Sequence, residues 1–247
     1  MQLSADGVKQ MRKILITNDD GIGSDGIIRL AEAAAEFGEV WVVAPDSQRS
    51  AVSHSVTLRH SVDVWKTEFP VKGVRAFACD GMPADCVRIG ALNIVPGGPD
   101  NVFSGINFGY NLASDIQYSA TAGAAFEAAF QKIHTVAFSE GAVEDHEVTD
   151  RYLKEIIAEL LDKPIGTNQI WNVNFPACSL GECRGLLRDR TVSTDVFYKD
   201  RYTETPVSEG RKRYMVNGIR KWDASEGTDL RAILDNYVSI GIATNIS

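Results

Sequence analysis

Along residues 13–175, short apolar runs alternate with helical stretches, and this alternation constrains the fold more than any other feature of the chain. The runs 13–17 (Lys-Ile-Leu-Ile-Thr) and 40–44 (Val-Trp-Val-Val-Ala) read as parallel strands covered on both faces. Between them, Ile27, Leu30, Ala31, Ala34 and Phe37 recur at helical spacing from about Ser24 onward, and Gly38 is placed for a left-handed C-terminal cap. Residues 56–80 read as irregular strands. Pro83 suits the first turn of a helix reaching about Leu92. A strand at 101–104, a small-residue helix at 120–132 and a strand at 135–138 follow. Next come an amphipathic helix through Tyr152, Ile156 and Leu160, stopped by Pro164, and a strand at 170–175. Alternation at these lengths predicts an α/β fold: a doubly wound, mostly parallel, Rossmann-like sheet with helices on both faces. Ligands of such sheets sit beyond the carboxyl ends of the strands, where strand order reverses.

From about residue 184 charges become dense and helical periodicity ends, so 184–225 reads as a projecting β-rich arm. The expected division is 1–183 for the main α/β domain and 184–247 for the arm and a returning C-terminal strand. Residues 1–10, ahead of Met11, read as a loosely held extension. The net charge of −8 argues against a nucleic-acid duplex as partner. With no apolar run of membrane-spanning length and no secretory signal, the expectation is a cytoplasmic protein without a membrane partner. Cys79, Cys86, Cys178 and Cys183 lack the spacing of a disulfide framework or a zinc site.

The chemistry concentrates at strand ends. Thr17-Asn18-Asp19-Asp20-Gly21 directly follows the first strand. Two adjacent carboxylates there repel each other and are costly to desolvate unless a cation neutralises them; oxygen ligands suit Mg²⁺ or Mn²⁺. Helix capping by one Asp is the plainer alternative. Gly21-Ile22-Gly23-Ser24-Asp25-Gly26 also fits the dinucleotide-binding pattern, with Asp46 ending the second strand. That makes an NAD-linked oxidoreductase a rival reading, although Asn18-Asp19-Asp20 separate the strand from its glycines. Further strand ends carry the hydroxyl-rich loop 46–55, which includes His54, the stretch Ser104-Gly105-Ile106-Asn107-Phe108-Gly109-Tyr110-Asn111, and Ser119-Ala120-Thr121 opening a helix suited to a phosphate.

Together, ILITNDDGIGSDGI (14–27), VVAPDSQRSAVSHSVTL (42–58), DGMPADCV (80–87), VFSGINFGYN (102–111), YSATAGAAFEAA (118–129), WNVNFP (171–176) and NYVSI (236–240) resemble the SurE family of metal-dependent 5′/3′-nucleotidases through nearly the whole chain. The resemblance implies one divalent metal, Mg²⁺ or Mn²⁺, on Asp19, Asp20, Ser50 and Asn107. It implies substrate contacts from Asn111, Ser119 and Thr121. From this site Asp19 is the candidate to orient or deprotonate the attacking water, or less readily to attack phosphorus itself. It implies hydrolysis of nucleoside monophosphates, and a homodimer or homotetramer formed through the C-terminal arm. Ala120, Tyr110, Met82 and Asn236 depart from the family's usual glycine, proline, threonine and glycine. The Ala120 substitution keeps a non-catalytic metal- or nucleotide-binding protein in view.

Overall fold

The structure, a computed structural model, describes residues 11–245; the extension read at 1–10 lies outside the described residues. The chain runs β1 (Lys13–Thr17), α1 (Asp25–Ala34), β2 (Glu39–Pro45), β3 (Val64–Thr67), β4 (Arg75–Cys79) and α2 (Pro83–Ile89). It continues with β5 (Asn101–Phe108), α3 (Ala120–Phe130), β6 (His134–Glu140), α4 (Glu147–Leu160) and β7 (Gln169–Phe175). These strands and the last one, β13 (Val238–Thr244), form a nine-stranded sheet in the order β3-β4-β2-β1-β5-β6-β7-β13-β8, where β8 is Leu186–Arg190. β4, β2, β1, β5, β6 and β7 are mutually parallel; β3 and β13 run antiparallel to β4 and β7.

Both faces of the sheet's central part are covered, which is why β1 and β2 are buried and largely apolar, while the edge strands β3 and β8 carry exposed Lys66, Arg188 and Asp189. α1 and α4 pack Ile27, Leu30, Leu153 and Ile156 onto one face with Ile14 and Ile16, while α2 and α3 pack Cys86, Val87, Ala124 and Ala128 onto the other with Leu15 and Val102. Ile14, Leu15 and Ile16 are fully buried, each contributing about 1.5–3 kcal/mol over an exposed side chain. β1 sits at the centre with β2 on one side and β5 on the other. The strand order therefore reverses at the β1–β5 crevice, the position that doubly wound sheets use for ligands.

Local readings shift in three places. Gly38 is not a left-handed cap: α1 ends at Ala34, and a Cβ at Gly38 would stand 2.4 Å from the Arg12 carbonyl oxygen. Close backbone approach, not φ, requires glycine there. α2 ends at Ile89 and passes into a π-helical turn, Gly90–Ile94. β5 extends beyond Ser104 to Phe108, with a break in its register against β6 between Ser104 and Asn107.

Within 184–225, β9 (Tyr198–Lys199) and β12 (Ile219–Arg220) pair, and β10 (Tyr202–Ser208) and β11 (Arg211–Val216) form a fully exposed hairpin. Phe197 anchors the base of this arm in a small core with Leu112, Leu230 and Ile233, the last two from α5 (Asp229–Leu234). The four cysteines are free thiols.

Candidate functional site

The acid pair leaves the sheet at the end of β1. Neither member caps α1, whose N-cap position is Ser24. Asn18 instead braces the turn, its amide donating to the Gly21 carbonyl at 3.0 Å and to Ser24 Oγ at 2.7 Å. Gly21 takes φ +99°, so the glycine after Asp20 is demanded by the turn itself. Asp19 is 3% exposed, and its carboxylate accepts the Thr121 hydroxyl at 2.5 Å. Burial pushes the Asp19 carboxyl up to about 6; the Thr121 hydrogen bond opposes this and the Asp20 charge adds to it.

Two loops are tied to the pair through backbone N–H groups. The Arg49 N–H donates to the Asp19 carbonyl at 2.7 Å, which places Ser50 next along that loop. The Phe108 N–H donates to Asp20 Oδ2 at 3.0 Å, with Asn107 immediately before it. The register break in β5 gives the chain the bend that this contact needs. The Asn107 amide nitrogen donates to the Gly109 carbonyl at 2.8 Å, leaving its oxygen as the side chain's acceptor end. The loops that carry Ser50 and Asn107 are thus tied by their backbone to Asp19 and Asp20 at the β1–β5 crevice.

Ser119 caps α3: its Oγ accepts the Ala122 N–H at 3.0 Å, so its hydroxyl hydrogen stays available. Helix geometry leaves the Ala120 and Thr121 N–H groups without intrahelical acceptors. Ala120 belongs to the helix and its φ is not positive, so a Cβ at this position strains nothing; it is fully buried. Asn111 lies deeper: its amide donates to Ser139 Oγ at 2.8 Å, and its backbone bonds Asn172 and Asn174. It braces the 107–111 loop against β6 and β7.

Contacts around the site arise from loop trajectories that residue spacing does not show. Ser104 donates to the Thr121 carbonyl at 2.8 Å and so docks α3 on β5. Glu127 on α3 meets His54 Nε2 at 2.8 Å, while the His54 ring stacks on Phe130 at 5.4 Å. With Ser53 bonded to the Tyr118 and Gln117 carbonyls, this clamps the loop carrying Ser50 onto α3. Tyr110, at the family's usual proline, accepts the Ala177 N–H at 2.7 Å and packs edge-on to Phe197 of the arm. Asn236 stands at φ +59°, a conformation its usual glycine takes freely and Asn tolerates. The Gly21–Gly26 pattern has local causes: the turn at Gly21, and at Gly26 a Cβ that would stand 2.1 Å from the Ile106 carbonyl oxygen. A dinucleotide is not needed to explain it.

The donor set fits a hard cation. Neither Asp19 nor Asp20 pairs with a Lys, Arg or His among the described residues, whereas Asp25, Glu127 and Glu140 do. Among the described residues no group of three or more His, Cys, Asp or Glu is gathered for a metal. Two carboxylates, a hydroxyl and an amide oxygen make a different set, one that suits Mg²⁺ or Mn²⁺ rather than zinc.

Fold and site define a doubly wound α/β protein with an acidic, oxygen-donor site at its strand-order switch, next to a helix N-terminus suited to an anion. The family model for survival protein SurE matches residues 14–196. The 5′-nucleotidase SurE 1 of Thermus thermophilus is 40% identical over 232 residues, 92% of this chain and 90% of that protein. The 5′-nucleotidase SurE of Clostridium botulinum is 36% identical over 231 residues with the same coverage. The crystal structure of the SurE protein from Aquifex aeolicus superposes with a TM-score of 0.81 at 34% identity, covering 95% of this chain and 94% of that one. The chain belongs to the SurE family.

Proposed function

We propose that this protein is a metal-dependent phosphomonoesterase, a 5′/3′-nucleotidase that hydrolyses nucleoside monophosphates to nucleoside and phosphate. The observation that carries the reading is the convergence of a buried Asp19 and its neighbour Asp20 with two loops tied to them by backbone N–H groups. Relatives named 5′-nucleotidase SurE support the same activity.

Asp19, Asp20, Ser50 and Asn107 would hold one divalent cation, Mg²⁺ or Mn²⁺. When bound, the cation neutralises the two acids and supplies Lewis-acid polarisation of a phosphoryl oxygen. Asp19, fixed in orientation by the Thr121 hydroxyl, orients the attacking water and takes up its proton. The Ser119 hydroxyl and the Ala120 and Thr121 N–H groups hold the equatorial oxygens as charge redistributes. Thr121 serves twice, through its N–H toward the phosphate and its hydroxyl toward Asp19. Asn111 acts on the substrate through the loop it braces.

The enzyme works in the cytoplasm; no helix among the described residues is long and apolar enough to cross a membrane. It assembles as a homodimer or homotetramer, for which the exposed Tyr202, Tyr214 and Val216, on one face of the hairpin, offer an apolar surface.

The test is phosphate release from a panel of nucleoside monophosphates with Mn²⁺, with EDTA, and with Asp19→Asn. Release that needs metal and drops by at least ~100-fold in the variant is expected. Release unaffected by EDTA, or retained in Asp19→Asn, contradicts the reading. Tight NAD binding without phosphate release would favour the oxidoreductase instead.

A further inference from the structure

A cleft of about 280 Å³ opens beside Asp20, between the start of α1 and the loop that enters α4. This is close to the lower end of the ~300–1,000 Å³ usual for small-molecule pockets. Phe108 forms part of its wall and is 50% exposed. Because the Phe108 N–H is bonded to Asp20, the ring stays within one side chain's reach of the acid pair. A phenyl face held open in this way is a stacking surface for a planar group.

The remaining walls set the charge. Asp25, Glu140 and Glu144 line the cleft with His146, which lies against Glu140 at 3.1 Å and Asp25 at 3.7 Å, and the nearby Arg29 is committed to Asp25, Glu140 and Asp150, so carboxylates outnumber the cationic groups. Carboxylates accept hydrogen bonds from hydroxyl and amino groups and repel further anions. The cleft therefore suits a flat, hydroxyl-bearing, uncharged group attached to a phosphate at the acid pair, and opposes a polyphosphate tail.

We propose that this cleft binds the nucleoside half of a nucleoside monophosphate, that Phe108 stacks on the base, and that the acidic wall selects against di- and triphosphates. The proposal rests on the nucleotidase reading and adds where the leaving group sits.

Adenosine carries no phosphate, so its binding is measured by calorimetry without metal, apart from catalysis. The expected result is saturable binding by the parent protein, weakened about tenfold in Phe108→Ala and retained in Phe108→Trp. The ratio of kcat/KM for AMP to that for glycerol 2-phosphate should fall about tenfold in Phe108→Ala, and AMP should be preferred to ADP. No adenosine binding by the parent, equal affinity in Phe108→Ala, or a fall in the ratio on Tyr118→Ala instead would overturn the proposal; Tyr118 is the other exposed aromatic next to Ser119. Phe108→Leu serves if the alanine variant fails to fold. Adenosine binding that depends on Phe108, without phosphate release from either ester, would reject the nucleotidase reading and keep the nucleoside site.

Discussion

The Thr121 hydroxyl, at the start of α3, donates to the carboxylate of Asp19, at the end of β1, across 2.5 Å. Both residues are buried, so this bond fixes the orientation of an acid that has no cationic side chain paired with it among the described residues. Thr121→Val keeps the shape and removes the donor. It should lower kcat about 10–100-fold and cost ~1–3 kcal/mol in urea unfolding, because a buried acceptor loses its partner. Thr121→Ser should stay within a few-fold of the parent. Equal kinetics for Val and Ser would show that the hydroxyl does not position Asp19.

The His54–Glu127 clamp gives a pH-dependent prediction. Burial pushes the Glu127 carboxyl up, but hydrogen bonds from His54 and Gln131, with the charges of His54 and Arg88, outweigh it and hold the group below its ordinary value. A carboxyl held low in the folded state adds stability that is in place above the ordinary glutamate value near ~4.3 and fades as pH falls through the folded one. Glu127→Gln should therefore be less stable than the parent by about 1 kcal/mol at neutral pH, with the difference shrinking below pH ~4.5. Urea titrations between neutral and acid pH check this; a gap that widens on acidification contradicts it.

Asn236 tests backbone strain away from the site. At φ +59°, Asn236→Ala should lose about 1 kcal/mol, while Asn236→Gly should fall within ~0.5 kcal/mol of the parent. Thermal unfolding of the three proteins decides it. Equal losses for Ala and Gly would point to the Asn side chain rather than to backbone conformation.

How far the sequence could be read follows from which interactions are local. Strands buried on both faces announce themselves as continuous apolar runs, so the parallel sheet and its alternating helices could be placed from the runs at 13–17, 40–44, 101–104, 135–138 and 170–175 and the helical stretches between them. Carboxylates at a strand end are also legible, because their repulsion and desolvation require an explanation wherever the sheet edge lies. Contacts that depend on loop trajectories were not. Nothing near Phe108 signals that its N–H serves Asp20, since that depends on a register break between β5 and β6. Gly38 looks like a helix cap in one dimension and proves to be a point of close approach to Arg12. Tyr110, an apparent oddity, anchors the site loop to Ala177 and to Phe197 of the arm. The glycine pattern at 21–26 shows the opposite hazard, a familiar signature produced by local sterics.

The most direct test of the central claim is an anomalous difference map from a crystal grown with Mn²⁺. One strong peak is expected, bounded by the side-chain oxygens of Asp19, Asp20, Ser50 and Asn107 and absent from crystals of Asp20→Asn. A peak elsewhere, or none at saturating Mn²⁺ with the two acids turned apart, would contradict it.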